Sequence, residues 1–320
     1  MDSEIWTEKY RPSNFEGIVG QQEIVKRVQN LTNSMNIPHL LFAGPAGTGK
    51  SSMALVIVKS LFGDNWKENY LELNASDTRG IEVVRQEVKS FARTKSLGNA
   101  PFKVIFLDEA DALTKEAQQA LRRTMENYTT TCRFVMSCNY SSKIIDPIQS
   151  RCAIFRFKLI EKKEMEKIIR RITERENLEI EEDVIDILYE ASEGDARKVT
   201  NLLQATASIS PKITLELIST VVASAKPSDV KIVLEYALSG DFLNSRKKLL
   251  DIMLKESISG HDLIKSIQKE IWKLNIEPEL KVRLTEKTGE IEFRLVEGSD
   301  EFIQLEALLA SFVLAGRGKV

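Results

Sequence analysis

His39-Leu40-Leu41-Phe42-Ala43-Gly44-Pro45-Ala46-Gly47-Thr48-Gly49-Lys50-Ser51 is the stretch that decides how this chain folds. A short apolar run bounded by Pro38 and Gly44 reads as a buried strand. The eight residues from Gly44 fit the pattern GxxxxGK[ST], and residues 51–62 continue as a helix. Glycines let successive backbone N–H groups turn inward around phosphate oxygens, and a helix starting near Lys50 adds the positive end of its dipole. The expectation is strand, phosphate-cradling loop and helix, with Lys50 reaching the β and γ phosphates of a nucleotide and Ser51 offering its hydroxyl to Mg²⁺.

Outward from this stretch, residues 70–74, 103–108, 133–137 and 153–157 read as four further strands separated by helical spacing. Ile81, Val84, Val88 and Phe91 share one helical face, and Leu113, Ala117, Ala120 and Leu121 share another. Strands alternating with helices of this length predict an α/β domain with a five-stranded parallel sheet, joined by right-handed crossovers and covered on both faces. After about residue 160 the strand signal stops. Val230, Val233, Leu234, Ala237 and Leu238, then Leu263, Ile264, Ile267 and Ile271, then Phe302, Leu305, Leu309 and Phe312 all carry helical spacing. A break at Ala225-Lys226-Pro227-Ser228, just before a helix at Asp229, divides the chain into three expected parts: 1–160, 161–225 and 226–320.

Composition narrows the class. Of 320 residues, 42% are hydrophobic and 29% charged, with 15 Gly and 8 Pro, which excludes disordered, collagen-like and mucin-like chains. No apolar run approaches the length of a membrane span, and Met1 to Pro12 lacks the apolar core of a secretory signal, so neither membrane insertion nor export is expected. Lys and Arg total 45 against 47 Asp and Glu, so any contact with nucleic acid needs a local patch. Cys132, Cys138 and Cys152 are odd in number and lack CxxC spacing, with His39 and His261 as the only histidines; neither a disulfide framework nor a zinc site is supported. Small buried thiols in a reducing, intracellular compartment are expected.

The second chemical element is Val104-Ile105-Phe106-Leu107-Asp108-Glu109, an apolar strand ending in two carboxylates. In the same sheet as the phosphate loop, Asp108 falls near Mg²⁺, and Glu109 is left to orient or deprotonate an attacking water. Hydrolysis of the nucleotide is expected, and not binding alone.

Taken together, Gly44 to Ser51, Asp108-Glu109-Ala110-Asp111, Ser137-Cys138-Asn139, Ser150-Arg151-Cys152 and Gly194-Asp195-Ala196-Arg197 resemble the clamp-loader branch of the AAA+ ATPases. Within it, the opening Trp6-Thr7-Glu8-Lys9-Tyr10-Arg11-Pro12 and Leu73-Asn74-Ala75-Ser76-Asp77 are most similar to the small subunits of replication factor C. These motifs cover residues 1 to about 200; the last hundred residues match only in being helical. The resemblance implies an AAA+ domain, a small helical lid and an all-helical collar that oligomerises. It implies ATP held by Tyr10, Arg11, Pro12 and Val19 around the adenine and by Gly44, Pro45, Ala46, Gly47, Thr48, Gly49, Lys50, Ser51 and Ser52 around the phosphates. It makes Asn139 the first sensor, Arg197 the second sensor on the lid, and Arg151 a finger that enters the neighbouring subunit's site. Ser51 and Asp108 become the Mg²⁺ ligands.

The implied partners are a replication factor C large subunit, further copies of this chain, a PCNA-type sliding clamp and primer-template DNA read by backbone and shape. DNA contact is expected from Arg79, Arg85 and Lys89, since Arg85, Lys89 and Arg93 recur every four residues on the helix from Ile81 and Arg79 stands just before it. Asn74 matches the polar residue that can hold Glu109 inactive until DNA arrives. Arg122 and Arg123 either support a neighbour's nucleotide or are simply solvated. The implied role is ATP-driven clamp opening with DNA capture, followed by release on hydrolysis, in the cytoplasm of a nucleus-free cell or in a nucleus. Two other readings stay open at this stage: a DNA-translocating AAA+ motor of the branch-migration type, and a scaffold subunit that binds nucleotide without hydrolysing it. Absence of a cysteine-ligated zinc module argues against the bacterial type of loader subunit.

Overall fold

Strand β1 (His39–Ala43) is buried along its whole length, with Leu40, Leu41 and Phe42 fully enclosed. It sits inside a five-stranded parallel sheet of order β2-β3-β4-β1-β5, with β2 Tyr70–Asn74, β3 Lys103–Asp108, β4 Cys132–Cys138 and β5 Cys152–Arg156. The structure, a computed structural model, describes residues 5–76, 82, 84–98, 100–222, 227–255 and 258–317. β1, β3 and β4 carry near-continuous apolar runs because helices cover both faces of a parallel sheet. Alternate side chains feed two separate layers. Leu40, Phe42, Val104, Phe106 and Val135 pack with Met53, Ile57 and Val58 of the helix following the phosphate loop. Leu41, Ile105, Leu107, Phe134 and Met136 pack on the other face with Ala117, Leu121 and Met125. Each such side chain contributes about 1.5–3 kcal/mol on burial.

The chain divides into two compact units, Met1–Ile218 and Ser219–Val320. The helices up to the boundary are α1 (Trp6–Lys9), α2 (Gln22–Asn33), α3 (Lys50–Phe62), α4 (Lys89–Arg93), α5 (Lys115–Asn127), α6 (Asp146–Gln149), α7 (Lys162–Arg175), α8 (Glu182–Ser192), α9 (Ala196–Ala207) and α10 (Leu215–Val222), the last of which runs across it. The second unit holds α11 (Pro227–Leu238), α12 (Phe242–Lys255), α13 (Gly260–Ile271), α14 (Pro278–Val296) and α15 (Glu301–Gly316). They enclose their own core around Leu234, Leu249, Ile264, Ile271, Leu309 and Phe312. Side chains of Ser259 and Asp300 cap α13 and α15 by accepting from backbone N–H groups of the first turn. Among the described residues no helix is long and apolar enough to cross a membrane.

Three features depart from the sequence reading. Residues Val84–Val88 form a π-helical turn ahead of α4. Its i→i+5 bonding takes more residues per turn than the regular helix expected over this stretch. The strand pattern also resumes once beyond residue 160, where Glu179–Ile180 pairs in parallel with Lys212–Ile213. Of the expected break, Ala225 and Lys226 lie outside the described residues, and α11 starts at Pro227, two residues before Asp229.

His39, at the start of β1, is only 6% exposed, and its Nδ1 accepts a hydrogen bond from the Phe134 backbone N–H at 3.1 Å. Burial, with the Arg133 guanidinium adding repulsion, pulls its pKa down to about 4. Below the ordinary histidine pKa the unfolded chain takes up a proton that the folded chain excludes, so this residue's contribution to stability is present at neutral pH. It is lost as pH falls from about 6.5 to about 4, by about 3 kcal/mol. Denaturant unfolding across that pH range should therefore show a steeper loss of stability for wild type than for His39→Gln; parallel pH profiles would contradict this assignment.

Candidate nucleotide-binding site

The phosphate loop leaves the carboxyl end of β1, where Gly44 N donates to Cys138 O at 3.1 Å. Gly44 has φ +151°, and a Cβ there would lie 2.4 Å from Phe157 O, so only glycine fits. Thr48 Oγ1 closes the loop on Pro45 O at 2.8 Å. Lys50 opens α3 and is 8% exposed. Its Nζ donates to Gly44 O at 2.6 Å, Pro45 O at 2.7 Å and Asn139 Oδ1 at 3.2 Å. Burial lowers the Lys50 pKa, and the Asp108 carboxylate works against that shift. The ammonium therefore sits inside a ring of oxygens and is free to exchange some of them for phosphate.

The acidic pair stands at the end of β3. Asp108 Oδ2 accepts from Ser51 Oγ at 2.8 Å, and Asp108 Oδ1 accepts from Ser137 Oγ on β4. A hydroxyl and a carboxylate in contact are hard oxygen donors of the kind Mg²⁺ takes in small number, completing its shell with water and phosphate oxygens. The donor set fits that ion. Glu109 is exposed and sits in the left-handed region at φ +53°, a conformation uncommon for a non-glycine residue and concentrated at functional sites. Past β4, Asp111 Oδ2 accepts from the backbone N–H of both Asn139 and Tyr140 at 3.1 Å, which fixes the loop that turns Asn139 toward Lys50.

A cavity of about 340 Å³ joins these groups. Its lining includes Ala46, Gly47, Thr48, Gly49, Lys50, Ser51, Ser52, Asp108, Glu109, Asn139 and Arg197, together with Tyr10, Arg11, Pro12 and Val19 and the apolar Ile18, Ile168 and Ile172. Gly44 and Pro45 border the site through their carbonyls to Lys50. Arg11 Nη2 reaches Ser51 O at 3.4 Å, while the Tyr10 hydroxyl donates to Glu176 and Lys9 pairs with the same carboxylate at 2.5 Å. Those two hydrogen bonds, Lys9 first, hold the Glu176 carboxyl below the usual range.

Arg197 is the second residue of α9, whose first turn is capped by Asp195 Oδ1 accepting from Arg197 N at 2.8 Å and Lys198 N at 3.0 Å. Ala196 N donates to Gly47 O at 3.1 Å, tying the helix start to the phosphate loop. Arg151 lies elsewhere, between α6 and β5. Its Nη1 donates to Pro147 O at 2.7 Å and its Nη2 pairs with Glu126, which also binds Arg122 at 3.1 Å. It does not line the cavity of its own chain. Lys89 is exposed at the start of α4; Arg79 and the side chain of Arg85 lie outside the described residues. Asn74 stands opposite Asp108 in the β2–β3 register, and its Oδ1 accepts from the Ser76 N–H and hydroxyl at 2.9 Å each.

The sequence reading assigned no task to Ser137, Asp111 or Asp195, nor to Glu176 or Ile168. Ser137, Asp111 and Asp195 stand inside motifs already quoted, but what they do depends on which strand neighbours β3 and which helix meets the loop. Asp195 also explains Gly47. At φ +65°, a Cβ on residue 47 would lie 1.7 Å from Asp195 Oδ1. Gly47→Ala therefore adds left-handed strain of about 1–3 kcal/mol to a steric clash, and ATP affinity should fall about tenfold or more in calorimetric titration. Unchanged affinity would contradict this packing.

Comparison with known proteins places the chain in a family. The profile for "ATPase family associated with various cellular activities (AAA)" matches residues 40–159, and that for "Replication factor C C-terminal domain" matches residues 225–311. The chain is 51% identical over 305 residues to the replication factor C small subunit of Methanococcus maripaludis strain S2, spanning 95% of this chain and 97% of that protein. It is 49% identical over 307 residues to that of Archaeoglobus fulgidus, spanning 96% of each. Among solved structures, the Thermotoga maritima RuvB Holliday junction branch migration motor superposes with TM-score 0.56 at 19% identity, over 71% of this chain and 78% of that one, a likeness of fold alone. With near-complete coverage at this identity, the chain belongs to the replication factor C small subunits, a family of AAA+ ATPases that serves DNA replication.

Proposed function

We propose that the chain is an ATP-hydrolysing subunit of a sliding-clamp loader whose site is completed by a neighbouring subunit. The observation that carries this reading is a division of labour. Lys50, Ser51, Asp108 and Asn139 converge at the ends of β1, β3 and β4, whereas Arg151 lies outside that cavity.

In this reading Tyr10, Pro12 and Val19, with the apolar side chains lining the same cavity, take the adenine, and the loop N–H groups with Lys50 take the phosphates. Ser51 and Asp108 would hold Mg²⁺, which would supply positive charge against that developing on the transferred phosphoryl group. Glu109 accepts the proton of the attacking water or orients it, and Asn139 donates its amide to the γ-phosphate or that water. Arg197 reports the γ-phosphate to the lid helices through the start of α9. Arg151 of an adjacent copy supplies the remaining positive charge, a contribution worth about 10³ to 10⁵ in rate when a finger acts in trans.

ATP binding then assembles a spiral with a large subunit and further copies, opens a PCNA-type clamp and holds primer-template DNA by its phosphates. Hydrolysis releases the closed clamp on DNA. Residues 1–160 act as the nucleotide domain, 161–225 as the lid and 226–320 as the collar. Arg79, Arg85 and Lys89 are the proposed DNA contacts, and Asn74, one register position from Glu109, is the proposed link between DNA and hydrolysis.

The test is steady-state ATPase of the purified chain with and without primed DNA and a PCNA-type clamp, repeated with Arg151→Ala mixed into wild type. Stimulation by both ligands, with the variant suppressing its wild-type neighbours, is expected. Turnover indifferent to both ligands, with the variant acting as a passive diluent, would overturn the reading; DNA dependence without clamp dependence would favour a translocating motor.

A further inference from the structure

Ser137 is buried in β4, the strand between β1 and β3, and lines the floor of the cavity. A hydroxyl carries one proton and two lone pairs. The proton goes to Asp108 Oδ1, and a lone pair accepts the Glu109 backbone N–H at 3.1 Å. One side chain thus contacts both members of the acidic pair: the carboxylate of the first and the backbone of the second. The two oxygens of Asp108 are consequently divided. Oδ1 faces Ser137 and Oδ2 faces Ser51 at 2.8 Å, which leaves Oδ2 and the Ser51 hydroxyl side by side. Glu109 holds a left-handed backbone at φ +53° that a non-glycine residue adopts only when its surroundings impose it, and the Ser137 oxygen accepts the N–H of that residue.

We infer that Ser137 is a positioning residue for the metal and water chemistry, fixing the rotamer of Asp108 and the backbone of Glu109 through a single hydroxyl. This rests on the ATPase reading above. Asn139 lies two residues further along the chain, just past the end of β4, and contacts Lys50, so β4 sets both the acidic pair and the sensor amide from one rigid element. A buried alanine at position 137 removes one oxygen and adds no bulk. Among the described residues it leaves Asp108 Oδ1 with the N–H of the adjacent residue at 3.1 Å, a bond constrained by its short chain connection. Partners that orient a metal-ligating carboxylate are worth about 10- to 100-fold in metal affinity or activity when removed.

The experiment compares wild type with Ser137→Ala by titrating Mn²⁺, followed by electron paramagnetic resonance, in the presence of a non-hydrolysable ATP analogue. Affinity for the same analogue is measured in excess EDTA, and ATP turnover at saturating Mg²⁺ is measured separately. The expected result is metal affinity about tenfold weaker or worse in the variant, with metal-free analogue affinity unchanged. An unaltered Mn²⁺ titration would overturn the inference. An equal loss of metal-free affinity would also overturn it, because that marks a general loosening of the site. If wild type binds metal and nucleotide yet hydrolyses no ATP, the ATPase reading fails while the comparison of metal affinities still decides the role of Ser137.

Discussion

Parallel pairing brings the carboxyl ends of β1, β3 and β4 to one edge of the sheet, and the rest of the site depends on that alignment. Ala43 stands opposite Cys138 and Leu107 opposite Met136, so the phosphate loop, the acidic pair and the sensor loop all leave the sheet at the same level. Ligand crevices in open parallel sheets form outside such strand ends. Lys50, Ser51, Asp108, Ser137 and Asn139 then meet within hydrogen-bonding distance although they come from three different strand ends. A one-residue slip would turn every inward side chain to the other face and separate them. The fully enclosed Leu40, Leu41, Phe42, Ile105, Phe106 and Phe134 make that slip costly.

The helices after residue 160 meet this edge through a few polar contacts. Ala196 N bonds to Gly47 O, Gln204 Oε1 accepts from Trp6 N at 3.0 Å, and Glu176 holds both Lys9 and Tyr10. Backbone and side-chain hydrogen bonds of this kind contribute about 0.5–1.5 kcal/mol each, far less than the two apolar layers beneath the sheet.

The fold and the floor of the site were legible in the sequence for a physical reason. A strand buried on both faces shows as an unbroken apolar run, and a loop that cradles phosphate needs glycine and lysine at fixed spacing. β1, β2 and β3 match their expected bounds, and β4 and β5 begin one residue earlier than the pattern indicated. What escaped the reading was non-local. Ser137 and Asp195 look like ordinary small polar residues until β4 lies beside β3 and α9 meets Gly47. The π turn at Val84–Val88 was hidden because a single five-residue turn of a rare helix type is too short to alter the apolar periodicity of the segment. The two-residue pairing of Glu179–Ile180 with Lys212–Ile213 is too short to register as alternation.

The claim on which this account stands is that the oxygens around Lys50 give way to nucleotide phosphates with Mg²⁺ held beside them. Its most direct test is equilibrium titration of the chain with a fluorescent ATP analogue, with and without Mg²⁺, in wild type and in Lys50→Ala. The account predicts saturable binding that tightens when Mg²⁺ is added and that disappears in the variant. Binding that survives Lys50→Ala, or that ignores Mg²⁺, would contradict it.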